Sequence, residues 1–280
     1  MKPSEIRQIL AERGIRLSRG MGQNFLHDPH QLDRIVSAAE LTPDSRVLEI
    51  GPGLGPLTRR LLAAAGTVRA VEKDAELAAY LRETLVETPG FELVEADARK
   101  EVCGEGKDWT DWVMVSNLPY SVASPLLVDL VLSLQGPRRM VVTVQHEVAC
   151  RLTAEPGTRD YGILTLLVQL RYQARLLFSI SHTCFWPPPD VQSACVRMDR
   201  REVEPLPPAL APVYVRLVKI AFSQRRKMMR KLLKAGWPET AIDRAYETAG
   251  LDRDVRAERV GREQFIAMTQ VLAEGRKPAA

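Results

Sequence analysis

Cysteine is scarce in this 280-residue chain, and Cys103, Cys150, Cys184 and Cys195 are scattered without a C-x-x-C pair. That spacing gives neither a zinc-binding pattern nor a disulfide framework, and a reducing, cytoplasmic setting is expected. Histidine is equally sparse. His27 and His30 form an H-x-x-H with no other histidine or paired cysteine near them in sequence, so no metal site is expected. No uncharged apolar run approaches the roughly 20 residues that span a bilayer, so no membrane association is expected. The opening stretch, MKPSEIRQILAERGIRLSRG, carries Glu5 and Glu12 among its basic residues and lacks an apolar core, unlike a secretory signal. There is no internal repeat.

What is present is the composition of a globular protein, 45% hydrophobic and 26% charged, in a chain long enough for one large domain or two ordinary ones. The net charge of +4 is unevenly spread. Residues 201–280 hold 16 Lys and Arg against 10 Asp and Glu, whereas the first 200 residues are slightly acidic. A near-neutral body followed by a basic region points to a polyanionic partner.

Hydrophobic periodicity divides the chain. Asp28 and Pro29 provide the cap and first residue of a helix whose apolar face is Leu32, Ile35, Val36 and Ala39. Strand-like runs (SRVLEIG, TVRAVEKD, FELVEAD, WVMVSN and RRMVVTVQ) then alternate with helical ones, and a loop is expected between FELVEAD and WVMVSN. Ser124 is a plausible cap for the helix ASPLLVDLVLSL. Such alternation predicts an α/β domain with a parallel sheet. EVACRLTA and YGILTLLVQL follow as helices, and ARLLFSIS and SACVRMD as strands that can add an antiparallel edge. The proline-rich REVEPLPPALAP is the best linker, beyond which every segment reads as helical. The expected division is a catalytic domain over 1–203, with a basic N-terminal arm and lid over 1–27, and a helical domain over 204–280.

Chemistry concentrates at strand ends. In EIGPGLG, Gly51, Gly53 and Gly55 permit a sharp turn and close ligand approach, a weak signal by itself. The G-x-G-x-G spacing differs from the G-x-G-x-x-G of dinucleotide sites. Glu49, within the strand before the loop, suits a ligand bearing a cation. Glu72 can accept from both hydroxyls of a ribose, and Asp97 from the amine of an adenine. Together they describe a pocket for S-adenosyl-L-methionine.

The next strand ends in Asn117-Leu118-Pro119-Tyr120. The Asn117 amide oxygen and the Leu118 carbonyl can accept both N–H bonds of an exocyclic amine, turning its lone pair toward a methyl donor. Pro119 stiffens the turn, and Tyr120 offers a ring for stacking. Phe185 and Trp186, in CFWPPPDVQS, are candidates for the opposite face, since enzymes that act on a base hold it unstacked.

The ordered set GQNFL, LEIGPGLGPLT, VEKD, EAD, NLPY, QHEVACRL, FWPPPDVQSA and FSQRRKMMRKLL resembles the ribosomal RNA adenine dimethyltransferase family, of the bacterial kasugamycin-resistance type. The resemblance runs from about Met21 to Val260. It implies a Rossmann-like, mostly parallel seven-stranded sheet with a small all-α C-terminal domain, and methylation of small-subunit ribosomal RNA. It further implies that Gln23, Asn24 and Leu26 cover the cofactor, that Gly51, Glu72, Asp97 and Asn117 line its pocket, and that Tyr120 and Phe185 sandwich the target adenine. Two positions depart from the family pattern. Asp190 replaces the usual lysine after the prolines, and SVAS replaces NIST after NLPY.

KIAFSQRRKMMRKLLKAG contributes Lys219, Arg225, Arg226, Lys227, Arg230, Lys231 and Lys234 with no acidic residue. Arg226, Arg230 and Lys234 are expected to form a helical stripe opposite Phe222, Met229, Leu232 and Leu233, with the RNA-binding role falling to Arg225, Arg226, Lys227, Arg230 and Lys231. The expected partner is small-subunit ribosomal RNA or the immature small subunit, met by a monomer. The rivals are an erythromycin-resistance-type enzyme acting on large-subunit RNA and a non-catalytic RNA-binding factor of the same fold. A nicotinamide oxidoreductase fits least, because NLPY would have no role in it.

Overall fold

The computed structural model describes residues 1–17, 23–85, 87–104, 106–224 and 226–274. Its strands are β1 (Phe25–Leu26), β2 (Arg46–Ile50), β3 (Thr67–Glu72), β4 (Phe91–Glu95), β5 (Trp112–Asn117), β6 (Arg139–Gln145), β7 (Tyr172–Ile180), β8 (Phe185–Trp186) and β9 (Ser193–Arg200). Seven of them form one sheet in the order β4-β3-β2-β5-β6-β9-β7. The pairs from β4 through β6 are parallel and β9 is antiparallel to β6. Helices cover both faces, so β2, β5 and β6 are buried almost end to end. Their sequences are continuous apolar runs for that reason. The strand order reverses beside β2, between β3 and β5, and such a switch point opens a crevice at the carboxyl ends of the strands.

Local chemistry sets the helix ends. Asp28 accepts from the Gln31 N–H at 2.9 Å, with Pro29 opening the helix Pro29–Ala39, as the sequence predicts. The helix Ala123–Leu132 starts earlier than expected, after Val122, so Ser124 lies within its first turn and is not its cap. A short helix, Ala98–Val102, occupies the expected loop after β4. Asp97 caps it by accepting from the Arg99 N–H at 3.0 Å.

The N-terminal arm is largely a packed helix, Pro3–Arg13. Its buried Ile6 and Leu10 join Phe25, Leu54, Leu77 and Leu81 in one apolar cluster. Arg13 lies over the Tyr80 ring at 5.1 Å and pairs with Glu83 at 2.6 Å. β1 pairs antiparallel with β8, Phe25 opposite Trp186 and Leu26 opposite Phe185, a two-stranded element the sequence did not announce.

The chain divides into two compact units, Met1–Ala149 with Ala174–Arg200, and Cys150–Gln173 with Arg201–Ala280. The cut after Arg200 is near the expected boundary, but Cys150–Gln173 groups with the C-terminal part instead of with residues 1–203. Buried polar bonds account for this. The Tyr161 hydroxyl donates to the Val260 carbonyl at 2.7 Å, the Tyr214 hydroxyl to the Leu166 carbonyl at 3.1 Å, and Arg171, 1% exposed, pairs with Glu204 at 2.8 Å. Within this second unit Trp237 is buried and donates to the Leu272 carbonyl at 3.1 Å.

Candidate active site and cationic cleft

The glycine loop after β2 is shaped by its neighbours. Gly51 and Gly53 have φ of 66° and 61°, in the left-handed region that an L side chain rarely adopts. A Cβ on Gly53 would stand 2.7 Å from the Phe25 ring, and one on Gly51 would stand 3.1 Å from Pro119. The loop is therefore pressed between the QNFL and NLPY segments, and the missing side chains let all three meet. A cavity of about 350 Å³ opens there in the first unit. Its wall includes Gln23, Asn24, Leu26, Glu49, Gly51, Gly53, Glu72, Asp97, Asn117, Leu118 and Tyr120.

The three strand-end carboxylates have different surroundings. Glu49 is 2% exposed, and its Oε2 is buried with no hydrogen-bond partner among the described residues. Burial pushes its carboxyl up to about 8, with nearby Glu72 adding to the rise. Leaving such a group unpartnered costs about 1–3 kcal/mol. That arrangement suits a site made for a cationic ligand.

Glu72 is also buried, which raises its carboxyl, yet it accepts three backbone N–H bonds: from Lys73 at 2.8 Å, Asp74 at 3.0 Å and Gly53 at 3.1 Å. It thus ties the glycine loop to the end of β3. Asp97 is engaged by Lys73 Nζ at 2.9 Å, and this hydrogen-bonded ion pair holds its carboxyl below the usual range. Lys73, which sequence reasoning passed over, also lines the cavity. A lysine directly after the strand-end carboxylate Glu72 was the available signal. Gln23 Nε2 donates to Asp74 at 2.8 Å, fixing the chain beside the cavity.

NLPY ends β5 and holds two acceptors, Asn117 Oδ1 and the Leu118 carbonyl, that have no partner among the described residues. Asn117 Nδ2 donates to the Asn24 main-chain carbonyl at 3.0 Å. A carbonyl only accepts, so the NH2 end of the amide must face Asn24, and Oδ1 is left buried and unpartnered. The Leu118 N–H donates to the Thr143 carbonyl at 3.1 Å, and the Leu118 carbonyl accepts no bond among the described residues. The Pro119 carbonyl takes the N–H groups of Val122 and Ala123, both at 3.1 Å, which locks the turn to the next helix. The Tyr120 hydroxyl shares a 2.5 Å hydrogen bond with Ser193 Oγ, and burial raises the phenol above its ordinary value.

Phe185 is placed elsewhere. It is 2% exposed and belongs to a core cluster with Leu26, Leu32 and Ile35, outside the cavity wall. Pairing of β8 with β1 sets Phe185 opposite Leu26, and its side chain is buried. Of the two rings the sequence reading pairs, the cavity wall includes Tyr120, half-buried, and not Phe185.

In the second unit, Lys219, Arg226, Lys227, Lys231 and Arg256 line a cleft of about 850 Å³, and none of the five forms an ion pair among the described residues. The expected helical stripe is not what forms. The helix begins at Met229, so Arg226 and Lys227 lie in the turn before it. Arg230 pairs with Asp243 at 2.7 Å, and Lys234 with Glu239 at 2.6 Å, so both point to the helix Glu239–Ala249. Arg225 lies outside the described residues. Arg256, distant in sequence, was not foreseen.

Residues 15–274 match the model of the family described as ribosomal RNA adenine dimethylase. The chain is 38% identical to ribosomal RNA small subunit methyltransferase A of Pelotomaculum thermopropionicum over 279 residues, 95% of each chain. It is also 38% identical to the protein of that name from Myxococcus xanthus over 270 residues, 95% of this chain and 94% of that one. Among solved structures, a dimethyladenosine transferase from Plasmodium falciparum superposes with a TM-score of 0.75 at 25% identity, covering 87% of this chain and 95% of that one. The 23S rRNA methyltransferase ErmE gives 0.68 at 29%, covering 89% and 99%.

Proposed function

The chain belongs to the ribosomal RNA adenine dimethylase family, and from that premise we propose that it dimethylates two adjacent adenosines near the 3' end of small-subunit ribosomal RNA. The methyl donor in this reading is S-adenosyl-L-methionine, and the protein acts in the cytoplasm as a monomer on the immature small subunit. No helix among the described residues is long and apolar enough to cross a membrane.

The observation that carries the reading is the pair of free acceptors at NLPY, Asn117 Oδ1 and the Leu118 carbonyl, beside the glycine loop. The lone pair of an adenine N6 is delocalised into the ring, which makes the amine a poor nucleophile. Two acceptors that take its two N–H bonds rotate and localise that lone pair, and the remaining requirement is alignment. No general base is required, because the proton leaves after the nitrogen has become cationic. Tyr120 gives the base a face to stack on.

The wall residues fit the cofactor. Glu49 would hold its cationic end, Glu72 and Asp97 its ribose and adenine, and Gln23, Asn24 and Leu26 would cover it. When bound, it supplies an electrophilic methyl group on a sulfonium. The cleft of Lys219, Arg226, Lys227, Lys231 and Arg256 suits the phosphates of the RNA.

The test is mass spectrometry of ribosomal RNA from cells with and without the protein. Dimethyladenosine is expected to vanish from small-subunit RNA when the protein is absent. An unchanged level overturns the proposal, and loss from large-subunit RNA instead selects the erythromycin-resistance type.

A further inference from the structure

β9 runs antiparallel to β6, and this brings its first residue to the catalytic rim. Asn117 is level with Thr143 on β6 and Thr143 with Cys195 on β9, while two residues further outward Gln145 is level with Ser193. The strand that follows the WPPPDVQ loop therefore starts where the parallel strands end. Ser193 is fully buried, and its hydroxyl reaches the Tyr120 hydroxyl at 2.5 Å. Tyr120 sits in the turn between β5 and the helix Ala123–Leu132, and its ring stacks on no other aromatic ring among the described residues.

We infer that Ser193 is a positioning residue that fixes the plane of the Tyr120 ring for stacking on the target base, an inference that rests on the stacking role proposed for Tyr120. A tyrosine in a turn is anchored at its Cα but is free to turn about χ1 and χ2. Tethering the far end of the ring removes that swing, and a buried partner held in a strand ladder does so more firmly than solvent. Ser193 does not line the cofactor cavity, so its contribution falls on the base and not on the cofactor. Misplacing a base by a fraction of an ångström is enough to slow a reaction governed by alignment. The same residue ends the proline loop that begins at Trp186, so the loop and the stacking ring share one anchor.

The test uses the full chain, immature small subunits and labelled S-adenosyl-L-methionine, with four variants: Ser193→Ala, Tyr120→Phe, the double variant and Tyr120→Ala. Removing the tether from either side is expected to lower kcat by roughly tenfold, the scale of one lost hydrogen bond. The cofactor Kd should stay at the wild-type value. The double variant should be no slower than either single one, because both remove the same bond. Tyr120→Phe leaves the serine in place and so separates loss of the bond from disturbance of β9. Additive losses, or Ser193→Ala at wild-type kcat while Tyr120→Ala is inactive, would overturn the positioning role alone. Wild-type turnover in Tyr120→Ala would overturn the stacking role itself.

Discussion

Asn117 Nδ2 donates across 3.0 Å to the main-chain carbonyl of Asn24, 93 residues earlier in the chain. This bond joins the segment proposed to cover the cofactor to the segment proposed to hold the target amine. It also determines which end of the Asn117 amide is left as an acceptor.

Asn117→Ala should therefore have two unequal effects. Loss of Oδ1 removes one of two acceptors that align the amine, and kcat should fall on the order of a hundredfold. Loss of the bond to Asn24 loosens the cover by one hydrogen bond, so cofactor affinity should weaken by no more than about tenfold. Single-turnover methylation together with calorimetry separates the two. Equal losses in both would place Asn117 with the cofactor only.

Glu49 gives the site a pH signature. Its ordinary value of 4.5 is raised to about 8 by burial first and by Glu72 second, so the carboxyl is protonated at neutral pH without ligand. A cationic ligand favours the carboxylate, and binding near pH 7 should release up to one proton. Calorimetry in two buffers of different ionisation enthalpy measures that number directly. Folding responds with the same sign. The folded state prefers the protonated form, so the stability Glu49 contributes is full below about pH 4.5 and declines as pH rises through about 8. Glu49→Gln should abolish the proton release and flatten this part of the stability profile. Proton release that persists in the variant would assign it to another group.

The sheet was legible because its strands are apolar runs separated by capped helices, and the cavity was legible because glycines and carboxylates recur at strand ends. Side-chain partners were less accessible. Phe185 looked like a clamp in the motif FWPPP, but its direction depends on pairing with Leu26, 159 positions away and only two residues long. Arg230 looked like part of a cationic face because the neutralising Asp243 lies on the next helix. Cys150–Gln173 looked like part of the first domain because sequence order does not show where the buried hydroxyls of Tyr161 and Tyr214 find acceptors. Long-range polar pairing decided each of these, and periodicity carries no record of it.

Gly53 tests the close approach of three motifs. In Gly53→Ala a left-handed φ costs about 1–2 kcal/mol, and the new Cβ stands 2.7 Å from the Phe25 ring. The melting temperature should drop by roughly 2–8 °C. Cofactor affinity should drop as well, since the loop must move away from Phe25 and therefore out of the cavity wall. Adding Phe25→Leu relieves the contact but not the backbone strain, so affinity should return in part while the melting temperature stays low. Wild-type values for both quantities in Gly53→Ala would refute the tight apposition of loop and β1.

The cationic cleft separates residues proposed to meet RNA from a cation engaged within the fold. Lys231 lines the cleft without an ion pair among the described residues, whereas Arg230, its neighbour in sequence, is held by Asp243. Lys231→Glu should raise the KM for immature subunits without changing the melting temperature. It should also reduce the slope of log affinity against log salt by about one, the signature of a lost phosphate contact. Arg230→Ala should do the reverse, lowering the melting temperature through the orphaned Asp243 while leaving the salt slope unchanged. Both can be read from filter binding across a salt series and from calorimetric melting. A salt slope that falls in Arg230→Ala as it does in Lys231→Glu would mean that Arg230 leaves Asp243 to bind phosphate, restoring it to the RNA-facing set.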